Sequence, residues 1–257
     1  MPSGHWGRIM GFPSAVSLST GVADGLVIRI KGHATVNDAQ AGLAVAFAGD
    51  VNGDGVDDII LSAPRDNQGG TNGGAAWVIY GSRNAQAQTI DLASLAPEQG
   101  FRITADSSED RLGTAVSALG DINDDGFADL LVSAHGDGST YEGAAFILYG
   151  GAGLSDLDLA SLPPGRGVKL AAERIGARFG EALSSAGDIN GDGIRDYVFS
   201  YAAPAIGFES SALIILGSEG GFSGTFVNVD RLPKTQAYHV YSGSLQDTAS
   251  SVAAIGD

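Results

Sequence analysis

The sequence predicts an all-β fold in which repeated four-stranded units assemble into a partial β-propeller. Three observations carry this. A nine-residue acidic loop is written three times, at residues 50–58, 121–129 and 188–196, with spacings of 71 and 67 residues. Each loop leads into an apolar, β-rich run, and a second such run follows, ending in glycine. No segment combines capping residues with the 3.6-residue periodicity of a strong helix. Short strands repeating at a fixed period, with glycine at their edges, are the pattern of propeller blades. A lone unit of this size would bury little core and would be a poor independent domain.

Taken along the chain, VSLS (16–19) and VIRIKG (27–32) match the last strand of a unit, so the chain enters partway through a repeat. Each full unit opens on an alternating small and apolar stretch: AGLAVAFAGD (41–50), LGTAVSALGD (112–121) and FGEALSSAGD (179–188). The acidic loop comes next, and then the second strand: IILSAP (59–64), LLVSAH (130–135) and YVFSYA (197–202). A variable connector leads to the third strand: AAWVIYG (75–81), AAFILYG (144–150) and ALIILG (212–217). The linkers IDLASL (90–95) and LDLASL (157–162) take up the excess of the period as short outer segments. The fourth strand is GFRITA (100–105), GVKLAA (167–172) or AYHVYS (237–242). TASSVAAIGD (248–257) begins a further unit. The expected organisation is the end of a preceding blade at 1–32, repeats at 33–105, 106–172 and 173–242, and a truncated fourth at 243–257. The expectation is a fragment of a longer protein, because closed propellers need four to eight blades.

The acidic loops read D-x-N-x-D-G-x-x-D. Oxygen-bearing side chains fall at positions 1, 3, 5 and 9, position 7 can offer its backbone carbonyl, and glycine at 6 allows the tight turn. This is the donor set of a hard cation such as Ca²⁺. The candidate ligands are Asp50, Asn52, Asp54, Val56 and Asp58 in the first loop. In the second they are Asp121, Asn123, Asp125, Phe127 and Asp129, and in the third Asp188, Asn190, Asp192, Ile194 and Asp196. Three sites are expected, one per loop. Two carboxylates ~4 Å apart repel by roughly 4 kcal/mol at an effective dielectric of about 20, so convergence of three favours a cation. An EF-hand is excluded, because position 12 is Leu61, Val132 or Phe199 where that motif needs glutamate between helices. A solvated Asp/Asn/Gly turn would not need oxygens at four fixed positions three times over. Asp57 and Asp124 are extra acids outside the ligand positions.

Composition limits the rest. The net charge of −16 opposes binding to a phosphate backbone, so no nucleic-acid partner is expected. The absence of cysteine excludes disulfides, thiolate metal sites and a cysteine nucleophile. No apolar run is long enough to span a membrane, and the first residues, MPSGHWGRIMGFPS, show no signal-peptide core. His5, His33, His135 and His239 are dispersed, and neither G-x-S-x-G nor H-E-x-x-H occurs, so no enzyme activity is expected. GGTNGG (69–74) lacks the ending of a phosphate-binding loop and reads as a connector. Trp77, Phe146 and Ile214 share one repeat position, which points to blade packing.

The unit resembles the FG-GAP repeat of integrin alpha-chain β-propellers. Phe179-Gly180 is the name-giving pair, with Leu112-Gly113 and Ala41-Gly42 as variants. Ser62-Ala63-Pro64 stands for Gly-Ala-Pro, weakening to Ser133-Ala134-His135 and Ser200-Tyr201-Ala202. The style is similar to tandem copies in bacterial secreted or surface proteins. The resemblance implies a seven-bladed, calcium-stabilised propeller, extracellular or on the cell surface, with calcium between the first two strands of a blade and an extracellular protein or glycan bound at the opposite end. Partner contacts would then fall on connectors 65–73, 136–142 and 204–211 and on turns 106–111 and 173–178, with Tyr141, Phe208, Arg174 and Arg178 best suited. A propeller module appended to a secreted, phospholipase-like hydrolase is the alternative, and a structural spacer the third.

Overall fold

The computed structural model describes residues 28–32, 39–67, 70–83, 89–105, 107–137, 140–202, 211–222 and 224–241. The expected strand at 16–19, connector residues 204–210 with Phe208, and the fourth repeat at 243–257 lie outside them.

Strand β1 (Arg29–Lys31) precedes three blades. The first blade contains β2 (Val45–Gly49), β3 (Asp58–Ala63), β4 (Ala75–Ile79) and, after β5 (Thr89–Asp91), β6 (Gly100–Thr104). The second contains β7 (Val116–Gly120), β8 (Asp129–Ala134), β9 (Ala144–Leu148) and, after β10 (Leu157–Asp158), β11 (Gly167–Ala171). The third contains β12 (Leu183–Gly187), β13 (Asp196–Tyr201), β14 (Ser211–Ile215) and, after β15 (Phe226–Asn228), β16 (Ala237–Tyr241). Each blade is an antiparallel meander in the same register: Ile60 faces Val78, Leu131 faces Ile147, and Val198 faces Ile214. This is the all-β, partial-propeller architecture that the repeat pattern predicts.

The apolar runs form largely buried strands, and those of the second blade are buried on both faces because it packs between the first and the third. Along β9, Ala144, Phe146 and Leu148 pack toward the first blade with Ile60, Val78 and Ile103. The alternate residues Ala145 and Ile147 pack toward the third with Phe179, Phe199 and Leu213. The core is therefore a series of inter-blade layers. Trp77 and Phe146 are fully buried in successive layers, as their shared repeat position predicts. In the third blade the register puts Leu213, not Ile214 as the sequence alignment has it, at this position, and Leu213 is fully buried whereas Ile214 is half-buried.

The linkers do more than fill the period. β10 leaves the second blade and pairs in parallel with β6 of the first, and β15 pairs in parallel with β11 of the second. β5 does the same to β1. Each strap gives the preceding blade an additional outer strand and then turns through a short 3₁₀ segment. Asp91, Asp158 and Asn228 cap these turns by accepting N–H bonds from Ala93, Ala160 and Asp230. Side chains reinforce the crossing. Asp156 accepts from the Arg102 backbone N–H at 2.9 Å and from its guanidinium at 3.2 Å. Asp230 accepts from the Glu173 N–H at 2.7 Å and from the Tyr201 hydroxyl at 2.5 Å.

Close approach between blades explains the glycine and serine positions of the motif. Gly113 starts the inner strand of the second blade with φ +86° and lies against Ser62 of the first, where a Cβ would come within 2.5 Å. Ser62, Ser133 and Ser200 are buried and accept the N–H of Ala44, Ala115 and Ala182, anchoring the start of each inner strand. The inner face of the first blade exposes Leu43, Val45 and Phe47, the last at 81%. The equivalent side chains Val116 and Leu183 instead pack against the preceding blade.

Gly74 tests the inter-blade approach. Its φ is +86°, and a Cβ would lie 2.4 Å from the Leu112 backbone nitrogen of the next blade. Gly153 has φ +69° and open space around it. Gly153→Ala should cost about 1–2 kcal/mol from the left-handed backbone. Gly74→Ala should cost a further ~1–3 kcal/mol from the collision. Denaturant unfolding of the two variants checks this, and equal losses would contradict the packing described.

Candidate metal centre

The three acidic loops join the first two strands of each blade, β2 to β3, β7 to β8 and β12 to β13. A register shift at Gly49, Gly120 and Gly187, each with φ between +70° and +74°, turns the inner strand into its loop. Left-handed glycine at such a bulge is what the geometry requires.

Within each loop the side chains organise the backbone in the same way. Asp50 accepts from the N–H groups of Gly53 (2.8 Å), Asp54 (3.0 Å) and Gly55 (2.7 Å). Asp188 accepts from Gly191, Asp192 and Gly193, and Asp121 from Asp125 and Gly126. Backbone donors, led by Gly193, hold the Asp188 carboxyl below the usual carboxylate range. At position 3, Asn52, Asn123 and Asn190 accept the N–H of Asp54, Asp125 and Asp192 and donate their amides to the same carboxylates. At position 5, Asp54, Asp125 and Asp192 accept the N–H of Val56, Phe127 and Ile194. These turns leave the carbonyls of position 7 free of that task.

Position 9 is built differently. Asp58, Asp129 and Asp196 are buried, and each uses both carboxylate oxygens. Asp58 accepts from Val51 N–H at 3.0 Å and Gly81 N–H at 2.8 Å. Asp129 accepts from Ile122 and Gly150, and Asp196 from Ile189 and Gly217, all at 2.9 Å. Each aspartate thus ties its own loop to the end of the third strand. Burial pushes the Asp129 carboxyl up to about 6, with the Asp125 and Asp121 charges adding to the rise and the two N–H bonds opposing it. Burial also raises Asp58, again helped by Asp54 and Asp50. The closing carboxylate therefore feels the acids at positions 1 and 5 of its loop in the first two copies.

Among the described residues, no group of three or more Asp, Glu, His or Cys side chains is gathered in ligating geometry. The donor chemistry nonetheless suits a hard divalent cation: carboxylates, an amide oxygen and a carbonyl, without sulfur or imidazole. Asp57 and Asp124 are exposed. The donors Gly81, Gly150 and Gly217 were not among the candidate residues. Their signal was the glycine that ends every third strand.

At the opposite end, the structure brings together the connectors and turns that the resemblance assigns to partner binding. Glu109, Arg111 and Leu112 donate backbone N–H bonds to Thr71, Asn72 and Gly73. Gly176, Arg178 and Phe179 do the same to Thr140, Tyr141 and Glu142. Asn72, Glu109, Arg111, Tyr141 and Arg178 all adopt positive φ. Tyr141 is 47% exposed, whereas Arg174 pairs with Asp230 at 3.2 Å. His135 is buried beneath this end, and burial lowers its pKa.

Residues 41–79 and 112–148 match the FG-GAP repeat model. The chain is 35% identical over 156 residues to integrin alpha-PS5 of Drosophila melanogaster, covering 58% of this chain and 14% of that one. It is 35% identical over 168 residues to integrin alpha-PS3 of the same species, covering 62% and 13%. It is 29% identical over 194 residues to human integrin alpha-7, covering 75% and 15%. The chain thus spans about one seventh of the length of these curated relatives. The β-meanders, the bulged acidic hairpins, the repeat match and these similarities support an integrin alpha-like FG-GAP protein.

Proposed function

We propose that this chain is a calcium-binding, non-enzymatic recognition module that acts outside the cell in adhesion, through an extracellular protein or glycan. The observation that carries the reading is the threefold loop, in which acids at positions 1, 5 and 9 share one short hairpin with an amide oxygen and a carbonyl. In each copy, positions 1, 3, 5, 7 and 9 would hold one Ca²⁺, giving three sites. When bound, the cation would supply the positive charge that offsets the facing carboxylates. The chain's own residues set the loop shape, bury the closing aspartate and fix it to the third strand. Similarity to integrin alpha chains supports the adhesive reading.

The partner surface is proposed at the end opposite the loops. Positive φ at five non-glycine residues there supports it, since strained backbone concentrates at binding sites. Tyr141 is the side chain best placed to contribute. Binding of the intact chain to immobilised extracellular proteins and to a glycan panel, with calcium and with EDTA, tests this. Calcium-dependent capture that Tyr141→Ala abolishes, with the melting temperature retained, is expected. Capture unaffected by EDTA and by Tyr141→Ala would contradict it.

Two further outcomes follow from the loops. Titration of calcium into the stripped protein should show three sites with Kd on the order of 10⁻⁴ to 10⁻³ M. Saturation at about 100 times Kd should stabilise by roughly 2.7 kcal/mol per site. Asp54→Ala should reduce the stoichiometry to two, and no heat and no thermal shift at millimolar calcium would refute the sites. The second outcome concerns pH without metal. Asp129 has a folded pKa of about 6, above its unfolded value of 3.8, so the folded state binds more protons between these limits. Metal-free stability from this group should fall as pH rises from about 4 to 6 and stay lower above. Asp129→Asn should remove that fall, so its stability relative to the parent should improve between pH 4 and pH 7 in EDTA. An unchanged difference across this range would contradict the assignment.

A further inference from the structure

Hydrogen bonds do not end at the boundary of each acidic loop. The first loop is joined to the second by main-chain contacts. Ala128 N–H donates to the Asp50 carbonyl at 2.9 Å, and Gly151 N–H donates to the Val51 carbonyl at 2.9 Å. Phe127 lies against Gly53 so closely that a Cβ there would be 2.5 Å from the ring. Gly49 is packed in the same way on the Ala128 methyl, at 2.8 Å.

The peptide units make this a continuous path. The Ala128 N–H shares its peptide with the Phe127 carbonyl, the position 7 oxygen of the second loop. The Asp50 carbonyl that it meets shares its peptide with the Val51 N–H, which donates to the Asp58 carboxylate. A second path starts at the Asp129 carboxylate, which accepts from Gly150 N–H. The adjacent Gly151 N–H then reaches the Val51 carbonyl. Aligned peptides polarise one another, so a positive charge drawing on the Phe127 carbonyl strengthens the donors downstream. The last donor in the path stabilises and orients ionised Asp58, the closing group of the first loop.

The third loop is attached differently. Among the described residues, no main-chain bond runs from Arg195 to the Asp121 carbonyl or from Ser218 to the Ile122 carbonyl. A Cβ at Gly120 would lie 3.3 Å from the guanidinium of Arg195, a flexible side chain in place of a clasp.

From these contacts we infer that the first and second loops form one positively coupled cation unit, whereas the third binds independently. The coupling rests on the proposed cation sites. It is carried by the peptides of Phe127–Ala128 and Asp50–Val51 and by the fit of Phe127 on Gly53. Ordering either loop around Ca²⁺ presets the other, because both share these rigid contacts. By linkage the effect is reciprocal.

Amide NMR during calcium titration of the stripped, intact chain reads each loop separately through Gly55, Gly126 and Gly193. The expected result is a shared midpoint and a steeper than single-site transition for Gly55 and Gly126, with an independent single-site transition for Gly193. Asp54→Ala should move the Gly126 midpoint to at least about fivefold higher calcium, the lower range of ordinary coupling, and leave Gly193 in place. Phe127→Ala keeps every ligand oxygen and should bring the Gly55 and Gly126 transitions toward single-site behaviour. Three single-site transitions, with Gly126 unmoved by Asp54→Ala, would overturn the coupling and leave the cation sites standing. No response of any of the three glycines at 10 mM calcium would overturn both.

Discussion

The buried aspartate at the end of each acidic loop is the constraint on which the blades depend. Asp58, Asp129 and Asp196 each bring together an inner hairpin and the end of the third strand by accepting one N–H from each. Hydrogen bonds to a charged group contribute roughly 1.5–3 kcal/mol each. Against this stands the cost of withdrawing a carboxylate from water, raised further in the first two loops by the acids at positions 1 and 5. The raised pKa values of Asp58 and Asp129 express that balance, and burial is their first cause. The hairpin is thus fixed by a group that is unfavourable as a lone anion and favourable beside a cation. Calcium bound as proposed would link the stability of the scaffold to the metal without any change of fold.

The rest of the architecture carries that local order from blade to blade. Apolar residues alternate along the middle strands so that each side belongs to a different inter-blade layer. The straps then cross the boundary in the other direction, adding strands β10 and β15 to the preceding blade. At one end the first two acidic loops touch through main-chain bonds, and at the other the connectors zip onto the following turn. Strands of five or six residues join the two ends of each blade.

Much of this was legible in the sequence because the repeat supplies its own controls. The three loops, the two middle strands and the fourth strand of every blade fall where the pattern puts them. The family resemblance rests on short motifs whose physical reasons emerge only in three dimensions. Gly113 is required by the nearness of Ser62 in another blade, 51 positions away in the chain. The straps could be recognised as extra segments, but IDLASL and LDLASL carry no mark of the strand that they join. That partner lies in the preceding unit and is chosen by blade packing. The glycines that end the third strands were visible, yet their role as donors to the closing aspartates depends on a contact 21 to 23 residues distant. Arg174 read as a free contact residue because its partner, Asp230, lies in a strap 56 residues away.

The central claim is that the closing aspartates fix the hairpins and that calcium completes this. Hydrogen exchange of the amides of Val51, Gly81, Ile122, Gly150, Ile189 and Gly217, with EDTA and with saturating calcium, tests it most directly. All six should be protected without metal and should exchange at least about tenfold more slowly with calcium, a stabilisation of roughly 1.4 kcal/mol or more. Exchange at the rate of open turns in EDTA, or rates unchanged by calcium, would contradict the account.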